Sequence, residues 1–171
     1  IEIDINELVI YNKLSYFFNI LNINFDKTIT IFEGYIDSLF YPNSIGIVGV
    51  NTDLKFLENN NLDIQYFFDN DKAGFDKSEQ KLKEGGRIFL WQKLFENIIS
   101  KKRGDAHQLY QRISKVKDLN KLAELVPNPN KKFNLSQFFS EDIYDIKYLP
   151  KIKIKKKLEK DYDKEFKWND W

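Results

Sequence analysis

Residues 28–34 read TITIFEG and residues 68–74 read FDNDKAG, and these two stretches decide the fold. In each, an apolar run rich in β-branched or aromatic residues stops at an acidic residue, and a segment of helical character follows. Residues 64–68 supply the apolar run that leads into the second stretch. Two more runs typical of buried strands lie at residues 44–50 and 87–91. The chain thus predicts four strands.

Segments of helical character separate these four strands, at residues 35–40, 54–57 and 72–83. Parallel neighbours need crossover connections of this kind, because a tight hairpin joins only antiparallel strands. We therefore expect an α/β fold with a parallel sheet of about four strands flanked by helices. Ligands of such sheets bind beyond the carboxyl ends of the strands, which predicts that Glu33 and Asp69 share one rim.

After the fourth strand the apolar spacing becomes helical. It predicts helices near residues 94–99 and 109–116 and a further helix that ends near Pro127. Asn134 is expected to cap a short helix through Phe139. The fold should therefore carry a helical C-terminal extension, followed by a Lys-, Asp- and Glu-rich arm.

The composition restricts the chemistry. The 171 residues suffice for one domain, and they include no cysteine and a single histidine. Thiolate zinc sites and cysteine nucleophiles are therefore excluded, and His107 is expected to be a solvated helix residue. Any metal must be held by oxygen ligands, which favours magnesium, manganese or calcium.

The distribution of charge is uneven along the chain. Residues 1–68 carry a net charge of −6, residues 69–130 of +4 and residues 131–171 of +3. Early carboxylates that gather a metal and later cations that meet a polyanion would produce this pattern, although solvated surface is a common cause of such drifts.

Three acids follow predicted strands, namely Glu33 after the first strand and Asp69 and Asp71 after the third. Residues two apart in extended chain project to the same side, so Asp69 and Asp71 can face one ion while Asn70 turns away. Carboxylates gathered this closely favour a divalent cation, and Mg²⁺ (or Mn²⁺) suits them because it combines carboxylates with water and phosphate oxygens. Gly74 would let a phosphate approach the backbone of the next helix.

The order and spacing of Glu33-Gly34-x-x-Asp37 and Asp69-x-Asp71-x-Ala73-Gly74 resemble the Toprim domain of bacterial-type primases, topoisomerases and some nucleases. The resemblance covers residues 28–92 well and extends less well to about residue 125. It implies phosphoryl chemistry on nucleic acid that depends on a divalent metal. Asp69 and Asp71 would hold the metal, Glu33 would be a further ligand or the general acid/base, and Asp37 a fourth candidate ligand.

Residues 117–120 read KDLN, which looks like the Lys-Asp-x-Asn element near the end of the Toprim domain in phage primase-helicases. The resemblance implies that Lys117, Asp118 and Asn120 bind substrate together with Lys72. Asp118 at a helix N-cap is the alternative interpretation of the same tetrapeptide.

Among Toprim activities, these elements favour the DNA primase branch, with metal-dependent RNA primer synthesis on a single-stranded DNA template. The chain has no phosphate loop of the helicase type and no cysteine for a primase zinc module. A Toprim-type nuclease and a non-catalytic nucleic-acid-binding module of a replication or recombination complex remain alternatives. The partners expected are nucleotides, single-stranded DNA and either other replication proteins or further domains of the same polypeptide.

The predicted organisation has three parts. Residues 1–27 form an N-terminal lead-in segment, residues 28–126 the Toprim-like catalytic domain and residues 127–171 the C-terminal helical and charged extension. The chain starts at Ile1 and lacks methionine, which favours an excerpt of a longer polypeptide or a processed product. With no apolar run near twenty residues, we expect no membrane span and a location in bacterial or phage-infected host cytoplasm.

Overall fold

The computed structural model describes residues 15–47, 54–101, 104 and 106–151, with the exception of the Phe56 side chain. Within these residues, six short strands form one mixed sheet in the order β1-β3-β2-β4-β5-β6. The strands are β1 (Phe17–Phe18), β2 (Ile29–Phe32), β3 (Ser44–Ile47), β4 (Ile64–Phe67), β5 (Arg87–Phe89) and β6 (Phe139–Ser140).

The four inner strands of this sheet run parallel, and the two edge strands are antiparallel to their neighbours. Ile31 of β2 lies between Ile45 of β3 and Tyr66 of β4, which fixes the register of the centre. All four residues of β2 are buried, as expected for a strand covered on both faces.

Six α-helices and several short 3₁₀ segments surround the sheet in the described ranges. The helices are α1 (Lys55–Glu58), α2 (Lys72–Lys83), α3 (Trp91–Ser100), α4 (Ala106–Ile113), α5 (Leu119–Leu125) and α6 (Pro129–Phe133). The 3₁₀ segment Asp37–Phe40 follows β2 and lies against α5. None of the helices in the described part of the chain is long and apolar enough to cross a membrane.

Separate hydrophobic cores lie on the two faces of the sheet. Alternation along the strands directs Phe32, Phe67 and Phe89 into the core beneath α3 to α6. These rings are stacked, with centroids 4.8 Å apart for Phe32 and Phe67 and 3.8 Å apart for Phe67 and Phe89. The opposite face packs Ile31, Ile45 and other aliphatic residues against Leu82 of α2.

The predicted α/β class is confirmed, whereas the sheet is larger than predicted and mixed. Its added edge strands are only two residues long, too short for alternation to be visible in the sequence. The predicted strand at residues 44–50 is observed over Ser44–Ile47, and residues 48–50 lie outside the described residues.

Two local predictions differ from the structure. Trp91, predicted at the end of the fourth strand, begins α3, and its indole N–H donates to the Phe68 carbonyl oxygen at 2.9 Å. Asn134 has a left-handed backbone and forms no side-chain cap, so that a short 3₁₀ segment, Leu135–Phe138, replaces the predicted helix. Phe139 belongs to β6 instead.

Candidate metal centre

An open cleft of ≈ 1030 Å³ lies at the carboxyl ends of the inner strands. Seven carboxylates line it. Five come from the two acidic turns and from the start of α5, namely Glu33, Asp37, Asp69, Asp71 and Asp118, and the other two are Glu58 and Glu84. Because β2 and β4 are parallel neighbours, Glu33 and Asp69 follow adjacent strand ends, and the carboxylate of Glu33 lies close enough to raise the pKa of Asp69. The strand order thus brings together residues that are far apart in the sequence.

Asp37, Asp69 and Asp118 form the tightest group of acids in the described residues. One carboxylate oxygen from each lies within 4.8 Å of the other two. Asp37 is only 4% exposed, and its Oδ1 accepts the backbone N–H of Asn120 at 2.8 Å. Asp118 is the N-cap of α5, where its Oδ1 accepts the N–H of Lys121 at 2.8 Å. Backbone groups of α5 therefore orient two of the three carboxylates.

Asn70, between the two aspartates of the turn after β4, holds the chain that leads to Asp118. Its backbone N–H donates to the Lys117 carbonyl oxygen at 2.6 Å, and its side-chain amide donates to the Val116 carbonyl oxygen at 2.8 Å. A weaker contact of 3.4 Å reaches the Ser114 carbonyl oxygen. These bonds hold residues 116–117, which lead into α5, against the turn that follows β4.

Asp71 caps helix α2 and lines the cleft at the same time. Its Oδ1 accepts the N–H of Gly74 at 2.8 Å, and its Oδ2 lies 3.9 Å from Lys117 Nζ. Gly74 lets α2 start this close to β4, because a Cβ atom there would collide with the carbonyl oxygen of Asp69. The cap and the glycine together place Asp69 and Asp71 at the same end of the cleft.

Three of the four residues predicted to bind substrate lie at the cleft, and the fourth, Lys72, does not. Lys117 and Asp118 line the cleft, and Asn120 contributes its backbone N–H to Asp37. Lys72 is not among the described residues that line the cleft, and it pairs with Asp76 on the exposed side of α2 at 3.0 Å. His107 is exposed on α4 and interacts with Gln111, at 3.2 Å.

Two carboxylates of the cleft, those of Asp69 and Asp37, resist ionisation. Burial, followed by the negative charge of Glu33, raises the pKa of Asp69 to about 8. Burial likewise raises the pKa of Asp37 to about 6, although the Asn120 N–H bond lowers it. Removal of these acids from water and their mutual repulsion carry a free-energy cost that a bound cation would relieve.

Two lysines of α2 pair with carboxylates of the cleft, and sequence reasoning did not predict these pairs. Lys77 Nζ lies 3.3 Å from Glu33 Oε1, and Lys81 Nζ lies 2.7 Å from Glu58 Oε1. Lys77, Gln80, Lys81 and Glu84 all line the cleft, and their spacing is that of one helix face. That spacing within residues 72–83 was the available signal.

The donor set fits a hard divalent cation, since it consists of carboxylate oxygens and a buried Glu33 Oε1 that has no hydrogen-bond partner among the described residues. Asp69, Asp37 and Asp118 would hold the ion most directly, with Glu33 and Asp71 at its border. No protein-family model and no curated protein matches this chain. Function is therefore inferred from the residues of the cleft.

Proposed function

We propose that this cleft is a divalent-metal site for nucleotidyl transfer, and that the chain is the Toprim domain of a DNA primase. The observation that carries the proposal is the convergence of Asp37, Asp69 and Asp118 within 4.8 Å, at the carboxyl ends of parallel strands. Clustered carboxylates in a wide cleft, two of them, Asp37 and Asp69, with raised pKa values, are typical of sites that bind Mg²⁺ with a phosphate ligand.

The roles of the acids follow from their surroundings. Mg²⁺ or Mn²⁺, when bound, would neutralise the charge that develops on the phosphate oxygens. Asp69 is the central ligand, since it touches Glu33 and belongs to the group with Asp37 and Asp118. Glu33 is the general base, because its partly buried carboxylate borders the group and can accept the proton of an attacking ribose hydroxyl.

The remaining cleft residues position these groups. Asp71 sets the start of α2 through its bond to the Gly74 N–H. Lys117, whose side chain is well exposed, lies 3.9 Å from Asp71 and can contact a substrate phosphate. The Asn120 N–H fixes the Asp37 carboxylate.

Two sequence elements favour a primase within this class of chemistry. The Glu33-Gly34-x-x-Asp37 turn and the Lys117 to Asn120 tetrapeptide resemble primase elements, and both border the same cleft. The expected substrates are nucleotides and a single-stranded DNA template, with other replication proteins or further domains of the polypeptide as partners.

The experiment is a titration of Mg²⁺ and Mn²⁺ by calorimetry, followed by an assay of ribonucleotide incorporation on single-stranded DNA. The variants are Asp69→Asn and Asp118→Asn, and the control is Asp76→Asn, an exposed α2 acid outside the group. We expect metal binding at least roughly tenfold weaker in the two cleft variants and unchanged in the control.

The outcomes separate the three functional hypotheses. Metal binding with incorporation, both lost in the cleft variants, supports a primase. Metal-dependent strand cleavage without incorporation would assign a nuclease. If nucleic acid binds equally well to the wild type and to Asp69→Asn, and no metal binds, the chain is a non-catalytic binding module and the proposal is wrong.

A further inference from the structure

Lys77 places a positive charge beside the carboxylates of the cleft. It lies on α2, and its Nζ is 3.3 Å from Oε1 of Glu33. The Glu33 side chain is 15% exposed, whereas that of Lys77 is 41% exposed, so the cation reaches inward from the open side. Since Glu33 lines the same cleft as Asp69 and follows the neighbouring strand, the Lys77 charge lies beside the acids at the centre of the cleft.

Lys77 and Glu33 are close together, but the interaction between them is weak. Oε1 of Glu33 is buried and has no aligned hydrogen bond from any described residue, so Lys77 meets it as an ion pair alone. Lys77 Nζ also lies 6.0 Å from the centre of the Phe68 ring, at the outer limit of a cation–π contact. Ion pairs with a partly exposed cation contribute little free energy, and so this cation can leave Glu33 at little cost.

Lys81, one turn further along α2, is a contrasting case. Its Nζ lies 2.7 Å from Glu58 Oε1 and 5.2 Å from the centre of the Tyr66 ring, and its side chain is 16% exposed. This lysine is fixed by a short hydrogen bond and an aromatic face. Of the two α2 lysines that line the cleft, Lys81 is therefore held in place and Lys77 is free to move.

We propose that Lys77 is an exchangeable counter-ion that neutralises Glu33 in the metal-free protein and turns to a phosphate of a nucleoside triphosphate when a divalent cation binds. The inference rests on the proposed metal site. The physical reason is charge balance, because an ammonium and a divalent cation beside one buried carboxylate repel each other. A lysine stem is long enough to swing within the cleft, and a polyphosphate is the anion that a metal bound there would bring.

The proposal predicts opposite changes in two affinities of one variant. Removing the ammonium in Lys77→Gln removes a competitor of the metal and a ligand of the phosphate. We expect Mn²⁺ to bind about two- to fivefold more tightly, and a nucleoside triphosphate about tenfold more weakly. Lys77→Arg keeps the charge and should stay near the wild type in both.

The test uses the whole chain in 0.3 M KCl, which screens long-range charge effects. Free Mn²⁺ is measured by electron paramagnetic resonance, and a radiolabelled nucleoside triphosphate is followed by equilibrium dialysis in saturating Ca²⁺. The matched control is Lys83→Gln, which removes the same charge from α2 at a pair with Glu79 on its exposed face. Circular dichroism verifies that each variant is folded.

Opposite changes in Lys77→Gln alone, with both affinities kept in Lys77→Arg, support the exchange. If the wild type binds Mn²⁺ but Lys77→Gln changes neither affinity, or weakens both, the role of Lys77 is refuted and the metal site stands. Equal effects in Lys83→Gln also refute it, because the effect is then one of net charge. A wild type that binds no Mn²⁺ refutes the proposed function itself.

Discussion

The backbone N–H of Asn70 donates to the carbonyl oxygen of Lys117 at 2.6 Å, and this bond joins the turn after β4 to the segment that carries Asp118. The side chain of Asn70 repeats the connection through the Val116 carbonyl oxygen. Asn70 thus lies between two cleft acids in the sequence and fixes a third in space. Its contribution to the proposed metal site is indirect, through the position of Asp118.

Asn70→Ala should weaken metal binding without removing a carboxylate. The variant loses the side-chain bond to Val116 and keeps the backbone bond to Lys117, which should lower the free energy of unfolding by about 1 kcal/mol. Chemical denaturation and calorimetric Mn²⁺ titration measure the two effects. Asn22→Ala, which removes an exposed bond to Asn19, is the control. Unchanged Mn²⁺ affinity in Asn70→Ala would show that Asp118 does not depend on this bond.

The metal-free protein should lose stability as the pH rises from about 4 to about 8. The folded-state pKa of Asp69 is raised to about 8 from 3.8, so the folded state binds this proton more tightly than the unfolded state does. The associated stability is fully present below pH 4 and is lost as the pH rises through 8. Asp69→Asn has no carboxyl group to ionise at this position and so avoids this loss. At pH 8, with a chelator present, the free energy of unfolding of the variant should exceed that of the wild type by roughly 2 kcal/mol.

Thermal unfolding of the wild type and Asp69→Asn between pH 5 and pH 8.5 measures this difference. Subtraction of the two curves cancels the titration of groups remote from Asp69. A difference that stays constant over this range would contradict the raised pKa of Asp69.

Added Mg²⁺ should stabilise the protein more at pH 8 than at pH 6. The ion needs ionised ligands, and both Asp69 and Asp37 bind protons in the neutral range, so protons compete with the metal at the lower pH. The measurement is the shift in Tm on addition of 10 mM Mg²⁺ at each pH. This concentration is roughly 100 times an assumed Kd for the ion. Asp118→Asn should abolish most of the shift. A shift that is equal at both values of pH would mean that the ion binds elsewhere.

Gly74→Ala should destabilise the protein, although alanine is the better helix former. In an ordinary helix the substitution stabilises by up to about 1 kcal/mol, whereas here the new methyl group meets the carbonyl oxygen of Asp69. We expect a loss of about 1–3 kcal/mol in the free energy of unfolding and a weaker metal affinity. Gly104→Ala, where a Cβ would meet no atom of the described residues within 4 Å, is the control. Equal stabilities of the two variants would refute the close contact of α2 with β4.

Sequence reasoning succeeded where local signals were strong. Helix α2 was predicted over its observed range, because Asp71 caps its start and Gly85 follows its end. β2 and β4 were predicted to within one residue at each end. The contact of Glu33 with Asp69 follows from the rule that parallel strands end at one rim.

What sequence reasoning did not find depends on contacts between distant segments. The place of Asp118 beside Asp37 is set by bonds from Asn70 and Asn120, and no local pattern of residues encodes such bonds. The edge strands Phe17–Phe18 and Phe139–Ser140 exist only through their pairing with β3 and β5. The pairing of Lys77 with Glu33 likewise depends on the packing of α2 against the turn after β2, which the charge of one helix residue does not encode.

The bonds from Asn70 to residues 116 and 117 also set the order of events during synthesis. A nascent chain that has emerged only through β5 already contains Glu33, Asp37, Asp69 and Asp71, yet it lacks the third carboxylate of the tightest group. The ribosome must release Asp118 before that group can close. A metal held by this group, as we propose, would therefore bind only after residue 118 has been synthesised, and its binding would report that both ends of the cleft have been assembled.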